Sequence, residues 1–559
     1  MPIHIDATHP AENEAEFPVV ASPSTLAAVP LSRPRSPAQF LVNGLLVVSL
    51  LGLAVAMRLH LLMDVSFSYD EACSWRISHF DWPEMWDAIS RDAHPPLFYL
   101  LQRIWQSLIG TSISAARVLS LLGGLLSTAL TYWLATVLAK ASPESTGSTQ
   151  KTVLFTVLAT ALMALHPQMV HLSQVARPYV WGVCLTLLAS GLVFKAVQTP
   201  TQIRNWVGFS ITTVALSLTH YYGLLTVVAL FAFAFIETAL RWKSEEAPAI
   251  KRSRIAGVLV SVGVGQLFWW PWLETFSHQL HRAGKQFWLP PLDVDSWTTV
   301  CARGLSGLDV LTPAVAMSLT LIWLGVPILL LLQRNPIGRL LAFGSAGPLV
   351  LATASALLFR NMMEPRYLAL ALTPLLIGIA WLLATIASPF WQYSAIGLTG
   401  CGLLFCCVQS HLIRERMAAS PGLQEAAAHL NQNRHHDDPL LVSSPFLMVC
   451  LLPLLNEHET IGVRFQGDYQ NDLLAGPPIK AEEIARYESI LASRPARLWT
   501  VDAVNVLGGA TDVAVPWEYR PTSQTRFFDS AGFDMEFVVR SYELPARQDL
   551  QTTLRDRQP

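Results

Sequence analysis

Two adjacent carboxylates, Asp70 and Glu71, lie in the part of the sequence that is richest in acidic, aromatic and histidine residues. That part runs from residue 64 to residue 96 and reads DVSFSYDEACSWRISHFDWPEMWDAISRDAHPP. A carboxylate can act as a general base toward a hydroxyl group or coordinate a cation. The alternative is structural: Asp70 caps a short helix and Glu71 lies in its first turn. The sequence leaves both interpretations open.

The end of the same stretch holds His94, which precedes two prolines and is therefore held by a rigid backbone. A histidine in this place could donate to a phosphate or bind a metal, and an ordinary surface histidine is the alternative. We expect the remaining acids of the stretch on the solvated face of a second amphipathic turn: Asp81, Glu84, Asp87 and Asp92.

Two arginines further along the chain stand beside tyrosines, Arg177 with Tyr179 and Arg366 with Tyr367. An arginine at the end of a membrane span can make a bidentate contact with a phosphate near the lipid headgroups. Snorkelling to ordinary headgroups is the alternative. Two histidines and a glutamine precede Arg177, and a simple anchor would not need them, so we favour the phosphate-binding interpretation there.

His220 is followed by Tyr221 and Tyr222 at the boundary between two apolar runs. Tyrosines are expected in the aromatic belt of a membrane protein, so His220 is the stronger functional candidate. A later polar stretch, HQLHRAGKQFW, contains Lys285 and could close over an anionic substrate, which makes Lys285 a further phosphate-binding candidate. The histidines of that stretch match no established zinc spacing.

The elements that must position these residues are membrane helices. Of the 559 residues, 52% are hydrophobic and 14% are charged, whereas soluble domains carry about 25% charged residues. A formal net charge of -2 gives no indication of nucleic-acid binding. Eleven apolar runs are long enough, or nearly so, to cross about 30 Å of hydrocarbon: residues 40–58, 113–139, 153–166, 179–197, 206–220, 222–240, 255–271, 312–333, 338–359, 366–388 and 393–411.

A further run, residues 94–110, is short and carries Gln102, Arg103 and Gln106, so we interpret it as a helix that lies in the membrane interface. With that choice, the basic loops all fall on the cytoplasmic side, as the positive-inside rule requires. If the run crossed the membrane, the same loops would lie outside. These loops are residues 140–151, Arg204, residues 241–254 and residues 334–339.

The same count of crossings places Asp70, Arg177, His220 and Arg366 together on the outer face. We therefore predict an α-helical polytopic membrane protein with three parts. Residues 1–38 form a disordered cytoplasmic tail, residues 39–411 a transmembrane domain with interfacial helices, and residues 412–559 an outer soluble domain. Short β-like runs such as RLWTVDAV and DMEFVVRSYEL, with a helical stretch at 480–492, predict a small α/β fold for the last part.

Five motifs occur in order on this polytopic chain: DEACSW, HPPLFYLL, SQVARPY, THYYGLL and EPRYL. Together they resemble the family 39-like membrane glycosyltransferases of the GT-C superfamily, which are related to protein O-mannosyltransferases and lipid A aminoarabinose transferases. The resemblance covers residues 40–411. It implies transfer of a sugar from a polyprenyl-phosphate carrier to a glycan, lipid or protein acceptor, on the non-cytoplasmic face of a bacterial-type plasma membrane.

The resemblance also implies roles for the candidate residues. Asp70 would be the catalytic base of a direct displacement, and Glu71 would support it or bind a cation. The donor phosphate would be held by His94, Arg177 and Arg366, and the substrate would be contacted by His220 with Tyr179, Tyr221 and Tyr367. If a divalent metal takes part, its candidate ligands are Glu71, His94 and His220.

The alternative function is a lipid or polysaccharide transporter, such as a flippase, in which the outer polar residues form a binding vestibule. Such proteins carry broken helices that pair between two halves of the chain, and ion-coupled ones usually carry charges near the membrane midplane. The sequence shows no internal repeat, and most of its apolar runs carry no charge near the centre.

Overall fold

The computed structural model describes residues 37–141, 149–243, 245–309, 311–456, 460–465, 476–504, 513–530 and 535–545, with residues 458 and 472. The chain divides into two compact units, residues 1–49 and residues 50–559. The predicted tail, residues 1–38, lies outside the described residues except for its last two. Apart from the start of the first helix, the features below belong to the second unit.

Seventeen described α-helices precede residue 420. They are α1 Pro37–Leu59, α2 Tyr69–His79, α3 Trp82–Arg91, α4 Leu97–Ile109, α5 Ile113–Lys140, α6 Thr149–Leu165, α7 Pro167–Leu172, α8 Tyr179–Gln198, α9 Ile203–Thr219, α10 Tyr221–Leu240, α11 Pro248–Trp269, α12 Leu273–Gln286, α13 Val294–Ser306, α14 Pro313–Leu332, α15 Pro336–Leu358, α16 Ala369–Thr385 and α17 Pro389–Ala419.

The eleven apolar runs of the sequence coincide with eleven of these helices: α1, α5, α6, α8, α9, α10, α11, α14, α15, α16 and α17. Within the described residues, seven helical stretches are long and apolar enough to cross a membrane: Ile113–Lys140, Tyr179–Gln198, Tyr221–Leu240, Pro248–Gln286, Pro313–Leu332, Pro336–Leu358 and Pro389–Ala419. The chain is therefore a multi-pass membrane protein. For the other four runs, a crossing remains a prediction.

Helix α4 has the properties expected of an interfacial helix. Its 13 residues span about 20 Å, which is less than the hydrocarbon thickness. The buried side of the helix carries Gln102 and Gln106, whereas Ile104 and Leu108 on the other side are exposed. The side that carries both glutamines therefore faces protein, and the side with Ile104 and Leu108 is free to face lipid.

Two of the basic loops, residues 241–254 and 334–339, meet at one end of the helices, which we call the basic end. The buried Glu237 of α10 pairs with Arg339 of α15 and Arg241. The Arg254 guanidinium donates to the carbonyl of Val197 at 3.0 Å. These contacts join α8, α10, α11 and α15 through the loops that the positive-inside rule places in the cytoplasm.

The C-terminal part, after α17, is a mixed α/β domain. Its described elements are α18 Gly422–Asn433, β1 Leu440–Val442, α19 Pro445–Leu451, β2 Ile461–Val463, α20 Ala481–Ser493, β3 Arg497–Val504, β4 Arg520–Asp529 and β5 Met535–Glu543. The sheet order is β2-β1-β3-β5-β4, with β1 parallel to β2 and β3, and β5 antiparallel to β3 and β4. The predicted α/β character is confirmed, although β2 and β4 were not predicted.

Helix α2 is packed into the core of this C-terminal domain. One hydrophobic cluster contains Cys73 and Trp75 of α2 together with Leu447, Val449 and Val501 of the domain. The membrane helices have a separate core. Because α2 carries Asp70, the C-terminal domain helps to set the position of that carboxylate.

Candidate active site

Helix α2 begins with a capping box. The Ser68 hydroxyl accepts from the backbone of Glu71, and the Glu71 carboxylate accepts from the Ser68 backbone N–H. This reciprocal arrangement satisfies two of the free N–H groups at a helix start. The interpretation of Asp70 as the cap is therefore wrong: Ser68 is the N-cap, and the Asp70 carboxylate is left for other contacts.

The Glu71 carboxylate is fully occupied by structural partners. It forms a two-point ion pair with Arg117 of α5, at 2.9 and 3.0 Å, and accepts from the N–H of Ala176 at 3.0 Å. Burial opposes its ionisation, but Arg117 and these hydrogen bonds outweigh burial and lower the pKa of Glu71 below its ordinary value. Glu71 therefore ties α2 to α5 and to the loop before α8, and it has no oxygen to spare for a substrate or a cation.

The Asp70 carboxylate points to the opposite side and pairs with Arg366, at 2.8 Å between Oδ2 and Nη1. Both side chains keep 31% of their surface exposed, so the pair lines an accessible space. Burial raises the pKa of Asp70, but the cations Arg366 and Arg177 outweigh it and hold that pKa below its ordinary value. Asp70 is therefore ionised at neutral pH and able to accept a proton.

The Arg177 guanidinium is buried behind this pair and contacts α2 directly. It donates to the carbonyl of Asp70 at 3.0 Å and to the Ser74 hydroxyl at 2.7 Å. Its Nη2 group lies 3.0 Å from Nε2 of His94. Since a guanidinium can only donate, Nε2 of His94 is the acceptor in this contact.

The other nitrogen of His94, Nδ1, lies 3.1 Å from Oδ2 of Asp92, and the Tyr99 hydroxyl donates to the same oxygen. Burial and then Arg177 lower the pKa of His94 below its ordinary value, against Asp92, so His94 is neutral at neutral pH with its proton on Nδ1. Burial opposes the ionisation of Asp92, but His94 and the hydrogen bonds from His94 and Tyr99 outweigh burial and lower the pKa of Asp92 to about 2.

Four aromatic rings close the site beside His94. The His220 ring lies 5.6 Å from that of His94, 5.5 Å from Tyr179 and 4.9 Å from Tyr367, measured between centroids. Tyr222 contacts both His220, at 5.9 Å, and Tyr367, at 5.1 Å. The rings come from α8, from the start of α10 and from the loop before α16.

Several hydrogen-bonding groups of this site are buried and have no partner within the described residues: Nε of Arg177, Nε of Arg366, the Tyr179 hydroxyl and Nε2 of His220. The Tyr222 N–H donates to Nδ1 of His220 at 3.1 Å, so the His220 proton is on Nε2. All four groups are therefore able to donate. Buried donors without acceptors are costly, and a bound anion would satisfy them.

The structure thus brings together seven of the predicted residues: Asp70, His94, Arg177, Tyr179, His220, Arg366 and Tyr367. It does not bring Tyr221 and Lys285 to them. The Tyr221 hydroxyl donates to Gln279 and accepts from Trp272 at 2.9 Å, which turns it toward α12. Lys285 is exposed on α12, with no contact to the cluster among the described residues.

A divalent metal does not fit the residues predicted as its ligands. Both nitrogens of His94 and both oxygens of Glu71 already have partners. Nε2 of His220 carries a proton, and two guanidinium groups face the same space. The positive charge that the site offers an anion is supplied by arginine.

Sequence reasoning missed four residues that belong to the site. Asp92 was expected in solvent, and this was wrong because the His94 ring and the Tyr99 hydroxyl cover it. Ser74 and Tyr222 contact Arg177 and Tyr367 directly. Glu364 is half-buried near Arg366, and burial raises the pKa of its carboxyl despite that arginine. The available signal was proximity in sequence, since Asp92 and Glu364 each lie two residues from a predicted site residue.

Comparison with known proteins finds a similarity in fold. No family model and no curated protein sequence matches the chain. Among solved structures, the chain is similar to ArnT from Cupriavidus metallidurans in the apo state, with 14% identity, a TM-score of 0.50 and coverage of 89% of this chain and 98% of that one. The two chains therefore share a fold over most of their lengths.

Two further structures are similar at lower scores. ArnT from Cupriavidus metallidurans bound to undecaprenyl phosphate has 13% identity and a TM-score of 0.49, with 88% and 97% of the two chains covered. The protein O-mannosyltransferase Pmt1-Pmt2 complex of S. cerevisiae, bound to the sugar donor, has 15% identity and a TM-score of 0.31, with 47% and 36% covered.

Proposed function

We propose that the chain is a glycosyltransferase that moves a sugar from a polyprenyl-phosphate donor to an acceptor hydroxyl. The observation that carries this proposal is the set of four buried donors beside the Asp70–Arg366 pair that have no partner among the described residues. These donors suit a phosphate, and a carboxylate suits the role of base. The similarity in fold to ArnT supports the proposal, and the five motifs resemble those of the family 39-like enzymes.

Arg177 and Arg366 hold the donor phosphate, with Nε2 of His220 and the Tyr179 hydroxyl as further donors. Their charge meets the negative charge that develops on the phosphate as it leaves. Phosphate is a good leaving group under these conditions, so a second protonating carboxylate of the glycosidase type is not required.

Asp70 takes the proton of the acceptor hydroxyl as its oxygen attacks the anomeric carbon. The new bond joins the acceptor oxygen to that carbon, while the bond to the phosphate oxygen breaks and its electron pair stays on the polyprenyl phosphate. The reaction is a single displacement with inversion. When the phosphate draws Arg366 from Asp70, the pKa of Asp70 rises, which makes the carboxylate a better base in the loaded enzyme.

His94 acts on the phosphate through Arg177. Its Nε2 accepts from that guanidinium, and its Nδ1 is fixed by Asp92, so the pair orients Arg177. This differs from direct phosphate binding by His94, which the sequence predicted. Glu71 has the corresponding role for α2, because it fixes the start of the helix that presents Asp70.

The proposed arrangement in the membrane has eleven crossings, with the basic end in the cytoplasm and the site outside. The C-terminal domain, predicted from residue 412, then lies on the extracytoplasmic side of a bacterial-type plasma membrane. Helix α17 continues past that residue to Ala419. The acceptor is a glycan, a lipid or a protein hydroxyl. The contacts of α2 with the C-terminal domain support a role for that domain near the acceptor.

Binding of undecaprenyl phosphate to the purified protein tests the phosphate site. We expect Arg177→Gln and Arg366→Gln each to weaken binding by about 10- to 100-fold, since a hydrogen bond to a charged group contributes about 1.5–3 kcal/mol. Arg103→Gln is the matched control, because Arg103 donates to the backbone carbonyls of Ser78 and Phe80 outside the cluster. Equal binding by all four proteins would refute the assignment.

A further inference from the structure

We propose a second site, for a divalent transition metal, formed by His60, His411 and Glu415. His60 follows the end of α1, and the other two residues lie one turn apart on α17. The site is independent of the transfer reaction and shares no residue with the cluster around Asp70.

The ligand atoms of the three residues are already close together. Nε2 of His411 lies 3.0 Å from Oε1 of Glu415, and the His60 and His411 ring centroids are 4.6 Å apart. One ligand atom from each residue lies within 4.8 Å of the other two. Zinc binds nitrogen and oxygen at about 2.0–2.2 Å, so ligand atoms around a tetrahedral ion are separated by about 3.3–3.6 Å. Exposed side chains can close that difference by rotation.

The backbone that carries His60 is held in place by contacts from two other segments. Gln174 donates to the carbonyl of His60 at 2.9 Å, and Arg414 of α17 donates to the carbonyl of Leu61 at 3.0 Å. Leu61 itself has a φ of 53°, a left-handed conformation that leucine rarely adopts. The surroundings therefore fix His60 beside α17, which reduces the ordering that metal binding requires.

The chemistry of the donors selects the class of metal. Two imidazoles and one carboxylate suit zinc and the neighbouring first-row metals, whereas magnesium and calcium prefer oxygen ligands. Glu415 supplies one negative charge toward a divalent ion and offsets the nearby Arg414. Three protein ligands leave the fourth position of a tetrahedral ion to water.

A bound metal would connect α1 to α17. Helix α17 is poorly packed, because within the described residues none of its side chains is buried. A metal clamp at its outer end would hold this helix, and the C-terminal domain that follows it, against the end of α1. The expected consequence is a higher melting temperature in the presence of metal.

Titration of the metal-free, detergent-purified full chain with Zn²⁺ tests the site, with calorimetry and thermal melting as readouts. We expect one zinc ion to bind at this site, with a rise in melting temperature. His411→Ala and Glu415→Gln should weaken that binding by at least about tenfold, since loss of even an outer-shell partner costs that much at metal sites. Both variants should melt like the wild type without zinc.

His278→Ala is the matched control. His278 forms an exposed pair with Glu274 at the same spacing of four residues, at 4.0 Å, but no third ligand completes a metal-binding group there among the described residues. This variant should bind zinc like the wild type. The proposal fails if the wild type shows no more zinc binding than His411→Ala, or if zinc raises the melting temperature of both equally.

Discussion

At the scale of single residues, the pairing of Asp70 with Arg366 sets the charge state of the proposed base. The folded pKa of Asp70 lies below its ordinary value, so the carboxylate stays ionised to lower pH than a free aspartate, whose pKa is about 3.9. The acidic limb of kcat/KM, which reports the free enzyme, should therefore lie below about pH 4.

Removing the positive charge of Arg366 should move the acidic limb of the pH profile of kcat/KM. In Arg366→Gln the burial that raises the pKa of Asp70 is less opposed, so the limb should shift to higher pH while the maximum rate falls. A pH profile of the residual transfer activity measures both effects. An acidic limb at the same pH in wild type and variant would mean that Asp70 is not the group being titrated.

Asp92 provides a second test at this scale, because it fixes the proton of His94 on Nδ1. Asp92→Asn should weaken undecaprenyl phosphate binding by about tenfold, because Nε2 of His94 is then no longer fixed as the acceptor for Arg177. Asp92→Glu should restore part of the binding. Asp87→Asn, an exposed acid of the preceding helix, is the control. Binding unchanged in Asp92→Asn would contradict the positioning role.

The residue types of the site could be predicted from sequence, but their pairings could not. Arg177, His220 and Arg366 stood out because each is a polar residue at the end of an apolar run. Asp92 did not stand out, because the sequence does not show whether an acidic residue in a polar loop faces solvent or a histidine. Lys285 has the positive charge that a phosphate ligand needs, but its side chain is exposed on α12. The charge of a residue does not show where its side chain lies.

At the scale of helices, α2 is held by the Glu71–Arg117 pair, whose side chains are 2% and 3% exposed. Breaking a buried pair leaves an unpaired charge and costs about 3–5 kcal/mol. Glu71→Gln should therefore lower the free energy of unfolding by about that amount, measured by denaturant unfolding in detergent. Glu71→Gln combined with Arg117→Met should regain part of the loss, and a double variant no better than the single one would contradict this account.

The same pair makes stability depend on pH. The folded pKa of Glu71 is lowered, so its contribution is complete above the unfolded value of about 4.3 and is lost as the pH falls through the folded value. We expect the difference in melting temperature between wild type and Glu71→Gln to shrink below about pH 4. A difference that persists unchanged to lower pH would exclude ionisation of Glu71 as its source.

The positions of the apolar helices followed from hydropathy, and the length of α4 supports its assignment to the interface. The capping of α2 by Ser68 has a local signature, a serine three residues before a glutamate. The pairing of Glu71 with Arg117 has no local signature, because Arg117 lies 46 residues away in the sequence. Contacts of this range depend on the packing of the whole bundle.

At the scale of the whole molecule, the C-terminal domain is joined through α2 and α3 to the part of the chain that carries the candidate site. Arg76 of α2 pairs with Glu483, and Lys480 pairs with Glu84 at 2.8 Å. The sequence predicted the α/β fold of this domain from its alternating strands. Its contact with α2 was not predictable, because it joins segments about 400 residues apart.

This contact should couple the domain to catalysis. Arg76→Gln and Glu483→Gln should each lower kcat/KM several-fold, and the double variant should lose less than the sum of the two, with a coupling energy of about 0.5–3 kcal/mol. The control is the same cycle on Arg497 and Glu543, an exposed pair at 3.3 Å, for which about 0–1 kcal/mol of stability and no effect on rate is expected. Additive losses at Arg76 and Glu483 would show that the domain does not act through this pair.

The most direct test of the central claim compares binding with turnover in Asp70→Asn. The protein is reconstituted with a polyprenyl-phosphate sugar, and release of polyprenyl phosphate and movement of the lipid across the membrane are both measured. We predict that Asp70→Asn binds undecaprenyl phosphate about as well as the wild type while turnover falls by about 10²–10⁴-fold, the usual contribution of a general base. Undiminished turnover in the folded variant would contradict the assignment of Asp70, and lipid movement without sugar transfer in the wild type would identify a transporter instead.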